Sequence, residues 1–173
     1  MALSKETILD VVRPVCPNVE TSEHHDQLTL VIPIEDIVEV CRELRDNSLT
    51  KFTFLVDITA IDWNRTVGRF EVVYFLQSMA FSGRLRLKVV LPNSVHPHCP
   101  TVVEVWEAAD WYEREVYDMY GIKFDGHPDL RRFYMPEDFA DPATAEPLYP
   151  LRKDFPLMGI PGSMPLPPMP ETI

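Results

Sequence analysis

Apolar side chains recur along this chain with two different periods, and the periods place its elements. After Ser4, whose hydroxyl suits a helix N-cap, Thr7 to Val12 form the turns of a short amphipathic helix that Pro14 ends. Gln27 to Ile32 alternates and is rich in β-branched residues, which predicts a strand closed by Pro33. From Ile34 to Asp46 the spacing becomes three and four. Ile34, Ile37, Val38, Cys41 and Leu44 share a stripe and Glu35, Asp36, Glu39, Arg42, Glu43 and Arg45 face water, so a second helix covers one face of a sheet.

Three strand-like runs follow: Lys51 to Asp62, Gly68 to Gln77 and Arg84 to Leu91. The short gaps between them predict antiparallel hairpins. In the third run Leu85, Leu87 and Val89 alternate with Arg84, Arg86 and Lys88, which implies that at least one edge of the sheet is half exposed. A last helix is expected from about Thr101 to Tyr120, ended by Gly121 as a left-handed cap. The resulting fold class is α+β: one small domain over residues 1–122, in an order close to αββαβββα, with helices packed against a mixed or antiparallel sheet.

Past that point the pattern breaks down. Eleven of the 17 prolines lie between Pro128 and Pro170, too dense for a helix and lacking the donors of a central strand. Residues 123–173 therefore read as a long extended tail. Phe124, Leu130, Phe133, Tyr134, Phe139, Tyr149, Leu151 and Phe155 make its first part more apolar than a solvated linker, which predicts a strap ordered on partner subunits. Ser163 to Ile173 reads equally well as disordered.

Composition narrows the possibilities. With 173 residues, 46% of them hydrophobic, the chain supports one core. A net charge of -11 without any basic stripe excludes a nucleic-acid partner. No run approaches the roughly 20 apolar residues of a membrane span, and the acidic start is unlike a signal peptide, so any membrane association is expected to be indirect. Cys16, Cys41 and Cys99 are widely separated and form no C-x-x-C pair, which suits reduced thiols rather than a zinc or iron-sulfur site.

Candidate chemistry concentrates on the last helix. Helical spacing puts Glu113 on the apolar stripe of Val102, Trp106, Ala109, Val116, Tyr117 and Tyr120. A carboxylate there must find a cation or hydrogen-bond donors, or else hold a proton. Glu113 is accordingly expected to be the most consequential acid, with a tail arginine as its natural partner. Glu115 and Asp118 are expected to share the other face, with Arg114 reaching Asp110 and Asp118. One reading is acid-base chemistry at Glu113 and Glu115. The other is a set of ion pairs fixing the helix to Arg131, Arg132, Arg152 and Lys153, preferred because carboxylates pointing in different directions cannot flank one substrate. His96, His98 and Cys99, with His127 downstream, resemble a metal cluster only superficially, since Pro97 and Pro100 hold them in an extended turn.

One combination of spacings is more specific. Glu113-Arg114-Glu115 with Asp118-Met119-Tyr120-Gly121-Ile122 is followed by Gly126-His127-Pro128, Leu130-Arg131-Arg132, Met135-Pro136-Glu137-Asp138 and Pro150-Leu151-Arg152-Lys153-Asp154-Phe155-Pro156. This block closely resembles the signature of the respiratory complex I 30 kDa subunit family. It departs from the common pattern in having Phe139 in place of a tryptophan and a longer connection from Ala140 to Leu148. The resemblance implies a non-catalytic subunit of the peripheral arm of an NADH- or ferredoxin-driven quinone oxidoreductase, a complex coupling electron transfer to ion translocation. It further implies that this chain binds no cofactor or metal, while other subunits carry iron-sulfur clusters and possibly FMN. The implied partners are peripheral-arm subunits, chiefly the large quinone-site subunit of the 49 kDa type, at the cytoplasmic side of the cell inner membrane. The alternative is a stand-alone metal or acid-base enzyme using Glu113, Glu115 and His127.

Overall fold

The computed structural model describes residues 3–156; the expectation for Ser163 to Ile173 lies outside them. Helix α1, Lys5–Val12, begins where the Ser4 hydroxyl accepts the Thr7 N–H at 3.2 Å. Strands β1, Glu20–His24, and β2, Gln27–Val31, form a hairpin through His25 and Asp26, both at positive φ. Helix α2 spans Ile37–Asp46, and β3, Phe54–Asp62, β4, Phe70–Ser78, and β5, Gly83–Val90, make two successive antiparallel hairpins. The sheet order is β1-β2-β5-β4-β3, with β2 parallel to β5, so the sheet is mixed.

Register puts Ile58, Tyr74, Leu87 and Leu30 side by side on one face, and all four are buried. Helices α1 and α2 pack against each other and add Ile8, Leu9, Val12, Ile37, Val40, Cys41 and Leu44 to the same core. Burying a Leu or Ile side chain contributes about 1.5–3 kcal/mol, so this face supplies most of the driving force. The opposite face carries Glu71, Phe75, Arg84, Arg86 and Lys88, with Arg86 over the Phe75 ring and Lys88 3.3 Å from Glu71.

Three expectations need correction. β5 lies inside the sheet, so its alternation reports a half-exposed face rather than an edge. The edges are β1, exposed along its whole length and without an apolar pattern to announce it, and β3, on which α3 packs. Helix α3 spans only Ala109–Tyr120; residues 101–108 form turns that bury Val102, Val105 and Trp106, and Trp106 Nε1 donates to the Phe52 carbonyl at 3.2 Å. Two further short strands, β6, His98–Pro100, and β7, Lys123–Asp125, pair in parallel.

Gly121 ends α3 at φ +70°, as expected of a left-handed cap. The boundary drawn at 122/123 falls just before β7, whose Phe124 is buried in the core, so the chain beyond Gly121 begins as part of the domain. It then returns along α3, where the Leu151 N–H donates to the Met119 carbonyl at 3.1 Å. Among the described residues no helix is long and apolar enough to cross a membrane.

Candidate functional site

The acids of α3 are separated by what each one meets. Glu113 is fully buried, and its Oε1 accepts the Val102 N–H at 2.8 Å while Oε2 takes the Thr101 hydroxyl at 2.5 Å. This grip folds residues 101–106 back across the helix instead of letting them extend it. Burial raises the carboxyl to a pKa of about 7; the two hydrogen bonds oppose that shift and the Asp110 charge adds to it. The Tyr74 hydroxyl and Cys99 Sγ, 3.4 Å apart, lie in the same core. No arginine touches Glu113 among the described residues, contrary to the expected ion pair.

Asp118 has the role assigned to Glu113. It is equally buried, and its Oδ1 meets Arg132 Nη1 at 2.9 Å. Its Oδ2 accepts three consecutive tail amides, those of Phe133, Tyr134 and Met135, at 3.0, 2.6 and 2.8 Å. Burial would raise this carboxyl, but the three N–H donors and the Arg132 guanidinium outweigh it and hold the pKa below the usual range. Arg132 also donates to the Phe139 and Leu148 carbonyls at 3.2 Å, so one ion pair gathers three stretches of tail.

Arg114 reaches neither Asp110 nor Asp118. It donates to the Arg131 and Arg132 carbonyls at 3.4 Å, with its guanidinium 4.9 Å from the Trp111 ring and 5.4 Å from the Phe133 ring. Glu115, three residues before Asp118 on the same helix, meets different neighbours. It is half-buried near Asp57, and desolvation followed by the Asp57 charge pushes its pKa up.

His127 bridges helix and tail: its Nδ1 lies 3.1 Å from the Asp129 N–H, and its Nε2 lies 3.1 Å from both the carbonyl oxygen and Oδ1 of Asp110. Pro128 follows and Arg131 pairs with Asp129 at 2.8 Å. At the far end of the helix an added Cβ on Gly121 would lie 2.5 Å from the Tyr149 ring and 2.6 Å from Arg152 Nη2, so only glycine permits this approach.

Sequence reasoning missed the last anchor. Asp62, at the end of β3, takes Arg69 of the β3-β4 hairpin at 2.7 Å and the Lys153 N–H at 2.8 Å, while Arg69 also meets Asp154 at 2.9 Å. Burial opposes ionisation of Asp62, but these partners bring its pKa to about 2. The one available signal was an Asp and an Arg flanking the Trp63 to Gly68 turn, seven residues apart at the base of one hairpin.

The site is therefore a latch of buried carboxylates closed by returning backbone. Glu113, Glu115 and His127 face Thr101, Asp57 and Asp110 respectively and do not converge on a common point. His98 Nδ1 faces Asp125 at 2.8 Å and Cys99 faces Tyr74, and among the described residues no group of three potential ligands comes together.

Comparison with known proteins places this geometry. The family model described as the 30 kDa subunit of respiratory-chain NADH dehydrogenase matches residues 30–161. The C subunit (form 2) of the NADH-quinone oxidoreductase of Rhizobium meliloti (strain 1021) is 47% identical over 135 residues, covering 78% of this chain and 69% of that protein. The corresponding C subunit of Rhodobacter capsulatus is 47% identical over 133 residues, covering 77% and 62%. For the C subunit of a Nocardioides species the identity is 37% over 161 residues, covering 92% and 59%. The chain thus spans roughly two thirds or less of the curated relatives it matches. Among solved structures, a trypsin-resistant fragment of Nqo5 (1-134) is 31% identical with a TM-score of 0.58, covering 72% of this chain and 98% of the fragment. A chain of the membrane-bound sulfane sulfur reductase, an archaeal respiratory membrane complex, is 29% identical with a TM-score of 0.69, covering 88% of this chain and 86% of that one.

Proposed function

The chain belongs to the 30 kDa subunit family of respiratory-chain NADH dehydrogenase, and we propose that it is a structural subunit in the peripheral arm of an NADH- or ferredoxin-driven quinone oxidoreductase that couples electron transfer to ion translocation. In this reading it holds no cofactor, and iron-sulfur clusters and FMN belong to other subunits. It joins the complex chiefly through the large quinone-site subunit of the 49 kDa type, at the cytoplasmic side of the inner membrane. Its task is to fasten the subunits that do the chemistry.

The observation that carries the proposal is the use made of Asp118. A buried carboxylate holding three consecutive backbone amides and an arginine orders an otherwise irregular, proline-rich segment. That segment turns Phe133, Tyr134 and Leu151 outward, at 43, 57 and 51% exposure, beside Trp111 at 53%. Aromatic side chains held rigid at a surface lose little entropy on docking, which suits an interface. A trypsin-resistant fragment of the related Nqo5 supports a domain separable from the rest of its chain.

Membranes carrying the chain truncated after Gly126, which keeps β7, test the proposal. The expected result is parallel loss of the assembled complex on native gels and of quinone reductase activity. Full assembly with activity lost would assign the tail a direct catalytic role instead.

A further inference from the structure

The arginines tied to the tail are mostly neutralised by carboxylates. Arg132 meets Asp118, Arg69 meets Asp62 and Asp154, and Arg131 meets Asp129. Arg114 ends on two carbonyls between aromatic rings. Arg152 is different: it is held rigidly, yet among the described residues no carboxylate lies in contact with it. Its Nε donates to the Tyr120 carbonyl at 2.5 Å, and its plane lies 4.3 Å from the Tyr149 ring and 5.2 Å from the Phe70 ring. Nη2 rests against Gly121, which lines a cavity of about 420 Å³.

The same cavity is lined by Lys123, which also has no ion pair among the described residues, and by His96. Its walls are Val95, Pro97 and Tyr149, and among the described residues Glu146 is the one acid at its rim. In a chain of net charge -11, Arg152, Lys123 and His96 thus line one cavity, and among the described residues neither Arg152 nor Lys123 makes an ion pair, Asp154 and Asp62 acting on Arg152 only through space. Burial disfavours the charge of Arg152 more than Tyr149, Asp154 and Asp62 restore it, and an incoming anion would offset the remainder. A planar guanidinium whose Nε is occupied and whose terminal amines are free is preorganised for a carboxylate.

We propose that this cavity receives an aspartate or glutamate side chain of the subunit on which the tail docks, gripped by Arg152 and flanked by Lys123 and His96. The inference rests on the structural-subunit reading above and deepens it by naming the chemistry of the partner at one point of contact. Hydrophobic walls around the cations make the pair specific, since a misdirected partner would leave Arg152 desolvated and unpaired.

Zero-length carbodiimide coupling of the intact complex, followed by peptide mass spectrometry, tests it. The expected product is an amide between Lys123 Nζ and an Asp or Glu of another subunit, absent in the Lys123→Arg chain. Lys123→Glu, at an exposed strand position, is expected to keep the fold while weakening retention in the complex about tenfold. A complex that contains the chain but in which Lys123 couples only to acids of its own chain, such as Glu146, or not at all, overturns the inference and leaves the structural-subunit reading standing. Retention unchanged by Lys123→Glu overturns it too. A chain found in no complex overturns both.

Discussion

Replacing Asp118 by alanine should open the latch without unfolding the domain. The substitution removes the acceptor of three amides and the partner of Arg132, whose side chain is only 7% exposed. Breaking a buried charge pair costs about 3–5 kcal/mol because the remaining charge stays desolvated. Each orphaned amide adds to the penalty, but the segment can escape by lifting into water, so the loss is capped by the tail's own local stability. At about 1.4 kcal/mol per decade, 3–5 kcal/mol shifts the local opening equilibrium by roughly two to three and a half orders of magnitude. The assay is hydrogen exchange at the Phe133, Tyr134 and Met135 amides, paired with tryptic cleavage after Arg132. Exchange and cleavage should rise together while core amides such as those of Tyr74 and Leu87 stay protected. Asp118→Asn should be intermediate, since its oxygen still accepts the amides while its NH2 group opposes Arg132. The pKa of Asp118 is depressed in the folded state, so its contribution is whole above about pH 4 and is lost as pH falls through the folded-state value. Wild-type exchange rates at 133–135 in the Asp118→Ala chain would refute the latch.

Glu113 should give the opposite pH signature. Its folded-state pKa of about 7 lies above the ordinary 4.5, so between those values the folded chain keeps a proton that the unfolded chain has released. Stability should therefore fall as pH rises across that window, by on the order of 3 kcal/mol, and level off above it. Glu113→Gln cannot titrate and should flatten the slope in urea melts; an identical slope in both proteins would remove Glu113 as its source. Gly121→Ala forces a non-glycine residue to φ +70° at about 1–2 kcal/mol and drives a methyl into Tyr149 and Arg152. Exchange at the Leu151 amide should rise, and an unchanged rate would show that the approach of the 149–152 segment to the helix end is not as tight as described.

The consequence of the latch for assembly is geometric. Asp118 holds residues 132–135 and Asp62 holds 153–154, so the tail is pinned to the domain at two points before it can meet a partner. The exposed Phe133 and Tyr134 of the first pinned segment are thereby presented on a rigid frame, and the cavity under Arg152 lies beside the second pin.

Much of this was written locally. The period-two runs of β3 to β5, the stripe of α2, the Ser4 cap and the Gly121 terminus depend on neighbours within a few residues, where sequence spacing and backbone geometry map onto each other directly. The signature that marks the family was legible for the same reason. Tertiary structure decided what no spacing carries. Whether Thr101 to Ala108 continues a helix depends on a carboxylate reaching back from Glu113. Which acid receives the tail depends on the direction from which Arg132 returns. A helical wheel places Glu113 on an apolar stripe and Asp118 off it, yet both are fully buried, because the returning tail covers the second face as completely as the core covers the first. Pairings such as Asp62 with Lys153, 91 residues apart, exist only once the sheet and the tail meet, since the chain between them carries no period that would predict the encounter.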